Sequence, residues 1–245
     1  MIQIVVPMGG EGKRFVDHGY AFPKPLIEIA GKPMVEIIVE NLTPSEPHQF
    51  IFVCNQAHLQ QFALRDVLDL VAPGNKVVRL QGVTAGALCS VLLGVEHLQH
   101  DGELLIANAD QYVTESVDNF LADARSRDVD GHVMTFPSTH PKWSYVKVEG
   151  DEVVAVAEKQ PISRSATAGL YYFRRAADFV SGAEQMLLKS ATVAGEFYVA
   201  PVYNQLILRG KKVGFAAIPR DSMHGLGTPE EVEMFASTVA KTLAR

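Results

Sequence analysis

The sequence predicts an α/β protein, a three-layer sandwich with helices on both faces of a mainly parallel, mixed sheet. Three observations predict it. Short apolar runs alternate with segments of helical period through the first 110 residues. The first of these runs, "IQIVVP", passes straight into the glycine-rich turn "MGGEGKR". From residue 131 the texture changes, and four strand-like segments follow one another with short connections.

Residues 2–7 are β-branched and apolar on both faces, the mark of a strand buried on both sides. Residues 33–42, "PMVEIIVENL", read as a helix with proline in its first turn. "QFIFVC" (49–54), "KVVRL" (76–80) and "ELLIAN" (103–108) read as further strands, with helices over 57–71 and 84–98 between them. Strands joined by helices of that length require right-handed crossovers and a parallel sheet covered on both faces. In the second half, 131–136, 144–150, 152–159 and 166–173 read as strands, the second and third joined by the hairpin turn "EGDEV". Helices are expected over 175–190 and 198–209, then a strand over 212–218 and a helix from Pro229. No linker or repeat divides the chain. It reads as one domain, 1–245, with a first lobe to about residue 128 and a second from about 129.

A chain of 245 residues with 47% hydrophobic and 20% charged residues is an ordinary globule with core enough to need no staple. Its net charge of −6 argues against a nucleic-acid or membrane-surface binder. The two cysteines, Cys54 and Cys89, lie in apolar segments and form no metal-ligand spacing. With no signal-like N-terminus and no apolar run of about 18 residues, a cytoplasmic location is expected.

Open α/β sheets bind ligands beyond the carboxyl ends of their strands. That rule brings three features to one rim: the turn after the first strand, "LQG" after the third, and Asp110 after the fourth. In the turn, glycines let backbone N–H groups approach an anion while Lys13 and Arg14 add charge. It is not a P-loop, because Pro7 and Arg14 occupy positions needing Gly and Ser/Thr. Nor is it the dinucleotide fingerprint, since Phe15 replaces the third glycine. Lys24 follows, between two prolines that stiffen its backbone.

"GGEGKRF" followed by "PKPLIEIAGKPM" resembles the sugar-nucleotide pyrophosphorylases, nucleotidyltransferases whose pattern is GGxGTR and then PKxLxxxxGKPM. "LLIANADQYV" (104–113), "VVAVAEKQPISRSATAGLYYF" (153–173) and "HGLGTPEEVE" (224–233) extend the resemblance, in order, over nearly the whole chain. It implies a Rossmann-like nucleotide-diphospho-sugar transferase fold. It also implies an enzyme that joins a nucleoside triphosphate to a phosphorylated acceptor with Mg²⁺, releasing pyrophosphate. Roles follow position by position. Met8, Gly9, Gly10, Glu11, Gly12 and Lys13 would form the nucleotide loop, with Arg14 facing the departing pyrophosphate and Lys24 neutralising the phosphates. Gln81 would read the base, Gly86 would pack against base or sugar, and Ala109 would complete the nucleotide site. Asp110 would hold the metal. Glu158 and Lys159 would contact the acceptor, with Tyr145, Gly169 and Glu196 beside them. Related enzymes often form homo-oligomers, which the resemblance leaves open here.

This chain departs from the pattern in three places. Lys13 replaces a threonine. Ser144 stands at a sugar-side glycine. Gly225 stands where the family carries a second metal aspartate, for which Asp221 or His224 is the nearest substitute. An extra cation at Lys13 is expected to offset a weaker metal site. Asn204, Tyr198 and Trp143 are further candidates for the acceptor pocket, and the acidic residues of the last helix read as a solvated face. Two competing functions remain open: a glycosyltransferase on a related sheet, which usually carries a D-x-D motif absent from "ADQY", and a nucleotide-binding relative without catalysis.

Overall fold

The computed structural model describes residues 1–238; residues 239–245, the end of the domain expected from the sequence, lie outside them. The first apolar run is strand β1 (Ile2–Met8), which leads through the glycine turn into the short helix α1 (Lys13–Asp17). A small hairpin, β2 (Glu28–Ile29) and β3 (Lys32–Pro33), precedes helix α2 (Met34–Leu42). Pro33 begins α2 at φ −58°, and Met34, Val35, Ile37, Ile38 and Leu42 form its buried stripe. Strand β4 (His48–Asn55), helices α3 (Gln56–Gln61) and α4 (Leu64–Val71), and strand β5 (Lys76–Leu80) follow. The single helix expected over 57–71 is thus two. Ala63 takes left-handed backbone (φ 51°), which an α-helix cannot continue through.

Helix α5 spans only Ala87–Leu92, shorter than the 84–98 expected, because Thr84 to Gly86 are spent on the rim of the sheet. Strand β6 (Leu104–Ala107) ends just before Asp110, followed by β7 (Gln111–Val113) and helix α6 (Val117–Ser126). The sequence reading missed α6, although Ser116 caps it by accepting from the Asp118 N–H at 3.2 Å. The second half supplies β8 (Gly131–Pro137), β9 (Ser144–Glu149), β10 (Glu152–Glu158) and β11 (Ser165–Phe173). Helices α7 (Ala176–Leu188) and α8 (Val202–Ile207), strands β12 (Val213–Ala217) and β13 (Met223–Gly225), and helix α9 (Pro229–Thr238) complete the order.

Pairing joins nine of these strands into one sheet. Its body runs β12, β8, β11, β6, β1, β4, β5, and β11 is the one antiparallel strand within it. One edge of β11 pairs with β8 along its length. On the other edge, Leu170–Phe173 pair with β6 while Ser165 and Ala166 pair with β9. The sheet therefore splits at the middle of β11, and the β9–β10 hairpin diverges from β6. The crevice so formed opens beside the carboxyl ends of β1 and β6, where an α/β sheet receives its ligand.

Successive residues of β1 feed opposite faces, as a strand buried on both sides must. Ile4 and Val6 pack with α2, α4 and α6 on one face. Val5 packs with Ile51, Val53 and Leu88 on the other. Two cores thus clamp the sheet and hold its strand ends in place. The ribbon of β7 and β13, paired from Gln111 with Gly225 to Val113 with Met223, brings the C-terminal segment back to the same rim.

Candidate active site

A cleft of about 800 Å³ occupies the split. One wall is the turn after β1, residues Met8 to Arg14, and its floor is Asn108, Ala109, Asp110 and Gln111 beyond β6. Close packing explains two of the glycines. A Cβ on Gly9 would lie 2.4 Å from Leu80 Cδ2, and Gly12 has φ +66° with Lys24 Cβ directly behind it.

Lys24 is positioned by a 3₁₀ turn, Lys24–Leu26, between its two prolines. Its ammonium donates to Asp110 Oδ2 at 2.9 Å across the floor, while the stem is largely covered. Burial alone would raise the Asp110 carboxyl. The Lys24 ammonium, with a smaller contribution from Arg14, outweighs burial and holds that group below the usual carboxylate range. Arg14 lines the cleft and makes no ion pair among the described residues. Lys13 lines it too, but its ammonium pairs with Glu11 at 3.1 Å and its side chain is 81% exposed. The expected compensation from Lys13 finds no geometric support, because a solvated charge already paired adds little at the floor.

At the opposite end, Glu158 is buried on β10 and accepts a short hydrogen bond from the Ser144 hydroxyl. Burial pushes the Glu158 carboxyl up, with Ser144 opposing. Lys159, in left-handed backbone at φ 54°, donates to the Tyr198 hydroxyl, which donates to Glu196 Oε2 at 2.5 Å. Ser144, Trp143, Glu158, Lys159, Glu196 and Tyr198 all line the cleft. Among the described residues, five cations and five carboxylates border it, so its charge is arranged by position rather than being cationic throughout.

Other expected residues are placed elsewhere. Gln81 is exposed and outside the cleft, because Leu80 turns inward against Gly9 and its neighbour turns out. Tyr145 is wholly buried beneath the Glu158–Lys159 end and donates to the His140 carbonyl at 2.7 Å; strand alternation presents Ser144 instead. Gly169 lies under the floor, at φ +77°, where a Cβ would fall 1.5 Å from Gln111 Oε1. Its carbonyl accepts from the Asn108 N–H at 2.9 Å, so it seats the floor without lining it. Asn204 spends its amide on the Val156 backbone, tying α8 to β10. Asp221 is exposed on a 3₁₀ turn and does not line the cleft, so it is not the partner of Asp110.

Gly86 does line the cleft, with a second role. At φ +121° a Cβ there would lie 2.4 Å from the Phe197 carbonyl oxygen. The Phe197 N–H donates to Ala85 at 2.7 Å and the Leu88 N–H donates to Phe197 at 3.1 Å. The glycine lets the backbone carrying Glu196 and Tyr198 lie against the Thr84–Ala87 rim. Sequence reasoning missed Asn108, Gln111, Lys142 and Thr228 on the cleft wall, which carry no spacing signal. It also placed Glu231 on a solvated face, whereas that side chain lines the cleft; its position four residues after Gly227 was the available clue.

The donor chemistry fits a hard cation at Asp110, a carboxylate open to the cleft beside the glycine turn. Among the described residues, no three His, Cys, Asp or Glu side chains converge on a metal-sized space. Mg²⁺ is commonly held by one or two carboxylates with phosphate oxygens and water completing its shell.

The model of the family described as nucleotidyl transferase matches residues 4–191, well over half the sequence. The chain belongs to the nucleotidyl transferase family. No curated protein matches the sequence. Among solved structures, it is similar to a nucleoside-diphosphate-sugar pyrophosphorylase from Vibrio cholerae, with a TM-score of 0.83 and 26% identity over 96% of this chain and 100% of that one. An inositol-1-phosphate CTP transferase from T. maritima shares the fold with a TM-score of 0.73 at 16% identity, covering 96% of this chain and 94% of the other. A UDP-glucose pyrophosphorylase from Acinetobacter baumanii does so with the same TM-score and identity, over 96% and 92%. The mainly parallel sheet and flanking helices of this nucleotidyl transferase agree with those neighbours. No described helix is long and apolar enough to cross a membrane.

Proposed function

We propose that this nucleotidyl transferase joins a nucleoside triphosphate to a sugar phosphate or similar small phosphorylated metabolite, releasing pyrophosphate, for nucleotide-sugar supply to a cell-surface polysaccharide. The Lys24–Asp110 pair carries the reading. It stands on the floor between the glycine turn and the Glu158–Lys159 end, where a triphosphate and an acceptor phosphate would meet.

The glycine turn would wrap the triphosphate with backbone N–H groups. Arg14 would face the pyrophosphate as it leaves, and Lys24 would neutralise charge where the α-phosphate and acceptor phosphate approach. Two anions must be brought together, so positioning and charge stabilisation account for most of the rate. The acceptor phosphate is already ionised and needs no general base. Lys159 would hold that phosphate, while Glu158 and Glu196 accept hydrogen bonds from acceptor hydroxyls. Mg²⁺, held at Asp110, would supply charge neutralisation at phosphate oxygens when bound. Cleavage of released pyrophosphate by inorganic pyrophosphatase, followed over four triphosphates and a panel of sugar and polyol phosphates, tests the reading. Release with one pair is expected. Silence across the panel, with no triphosphate binding by calorimetry, overturns it.

A further inference from the structure

Gly225 has no conformational reason to be glycine. It ends strand β13, paired with Gln111, and is not among the glycines with positive φ. Space gives the reason instead. A Cβ on Gly225 would lie 2.7 Å from Glu231 Cδ and Oε1 and 2.8 Å from Oε2, in collision with a whole carboxylate. Glu231 reaches there from the first turn of α9, and its Oε2 accepts from the Gly227 N–H at 2.9 Å.

The same carboxylate borders Asp110. The space a Cβ on Gly227 would take lies 3.3 Å from Glu231 Oε2 and 3.4 Å from Asp110 Oδ2. The Leu226 N–H, donating to the Asp110 carbonyl at 2.7 Å, locks this segment to the floor. Each carboxylate has one lysine partner: Lys24 at Asp110 Oδ2, and Lys142 at Glu231 Oε1 at 2.6 Å. Carboxylate oxygens carry two lone pairs each, so both retain acceptor capacity toward the cleft.

We propose that Glu231 is the second carboxylate for a divalent cation at Asp110, delivered from helix α9 into the space that a side chain at Gly225 would otherwise fill. The inference rests on the nucleotidyl-transfer reading for its cation, and it deepens that reading by naming a ligand where Asp221 and His224 both lie outside the cleft lining. In this chain the glycine and the glutamate form one unit: the Glu231 carboxylate occupies the place that a side chain at 225 would take. Lys142 neutralises Glu231 while no cation is bound and is the group a cation would displace.

Mn²⁺ binding to the full chain, read by loss of the free-ion paramagnetic resonance signal with and without inorganic pyrophosphate, tests this without turnover. Glu231→Gln and Glu231→Ala are each expected to weaken Mn²⁺ by at least the tenfold that losing even an outer-shell partner costs. Gly225→Asp in the wild-type background is expected to lower the melting temperature through the collision. Gly225→Asp combined with Glu231→Ala is expected to melt near wild type and to regain Mn²⁺ affinity to within about threefold, well inside that tenfold loss. Mn²⁺ affinity within twofold of wild type in Glu231→Gln, with Asp110→Asn strongly weakened, overturns the assignment and leaves the proposed function standing. A swapped variant that folds and fails to regain Mn²⁺ also overturns it. Absence of pyrophosphate release in the wild type, with metal binding behaving as stated, instead sinks the proposed function.

Discussion

The two ends of the cleft are built from different materials. One end is made of backbone: a glycine turn between β1 and α1, seated against Leu80 and Lys24, with one lysine reaching the floor. The other is made of side chains drawn from separate segments: Ser144, Glu158 and Lys159 from the β9–β10 hairpin, Glu196 and Tyr198 from the connection before α8. A backbone cradle depends on contiguous residues and tolerates few replacements. A side-chain network can be re-specified one residue at a time.

The sharpest break of that comparison is Lys24→Ala. Removing one preorganised charge at a reacting phosphate is expected to lower the pyrophosphate-release rate by about 10²–10³-fold. The melting temperature should fall modestly, because Asp110 loses the ammonium that holds its carboxyl low, while no backbone hydrogen bond depends on the Lys24 side chain. An unchanged rate would remove Lys24 from the chemistry.

Gly86→Ala tests whether the two ends are joined where Phe197 crosses the rim. The added Cβ at φ +121° faces backbone atoms, so the strand of contacts must shift. A loss of roughly 1–3 kcal/mol in urea unfolding is expected, with the KM for both substrates raised together. A rise confined to the triphosphate would mean that this glycine serves the base alone.

Tyr198→Phe separates the ends. It removes the hydroxyl linking Lys159 to Glu196, and the acceptor KM should rise about tenfold, near 1.4 kcal/mol for a charge-assisted bond. The triphosphate KM should not move. Equal changes in both would show that the network serves the nucleotide.

The smallest expected effect lies in pH. Asp110 has a carboxyl held below its ordinary value, so its contribution to stability is present above the unfolded value of 3.8 and lost as pH falls through the lower folded value. Glu158 has the opposite sign. Its folded carboxyl is raised, so stability declines as pH climbs from the unfolded value of 4.5 through the folded one. Glu158→Gln should flatten the decline above 4.5 in a stability profile, and Asp110→Asn should flatten the loss below 3.8. Identical profiles for the two variants would show that the two ends are not electrostatically distinct.

How much was legible followed the same divide. The strands at 2–7 and 49–54 were read nearly to the residue, because burial on both faces leaves a continuous apolar run. Met8 to Arg14, Lys24, Ala109 and Asp110 reached the cleft as expected, since a turn at a strand end has few places to go in a parallel sheet. Gln81, Tyr145 and Gly169 did not line it. Gln81 and Tyr145 each lie one step from a residue that does line it (Leu80 and Ser144), and alternation along a strand decides which of two neighbours faces in; Gly169 packs instead beneath Gln111. The helix over 57–71 was overread because a single left-handed residue, Ala63, leaves no mark in periodicity.

By itself the sequence determined the alternating α/β order, the anion-binding turn and the lysine between prolines, because local rules of backbone freedom and hydrophobic period govern these. Tertiary structure decided the rest. The split of β11 between β6 and β9 opens the cleft, and Gly86 lets Phe197 close against its rim. The return of β13 sets Gly225 beneath Glu231. These are contacts between distant segments, where the space left by one residue is set by another's side chain, and no local pattern records that space.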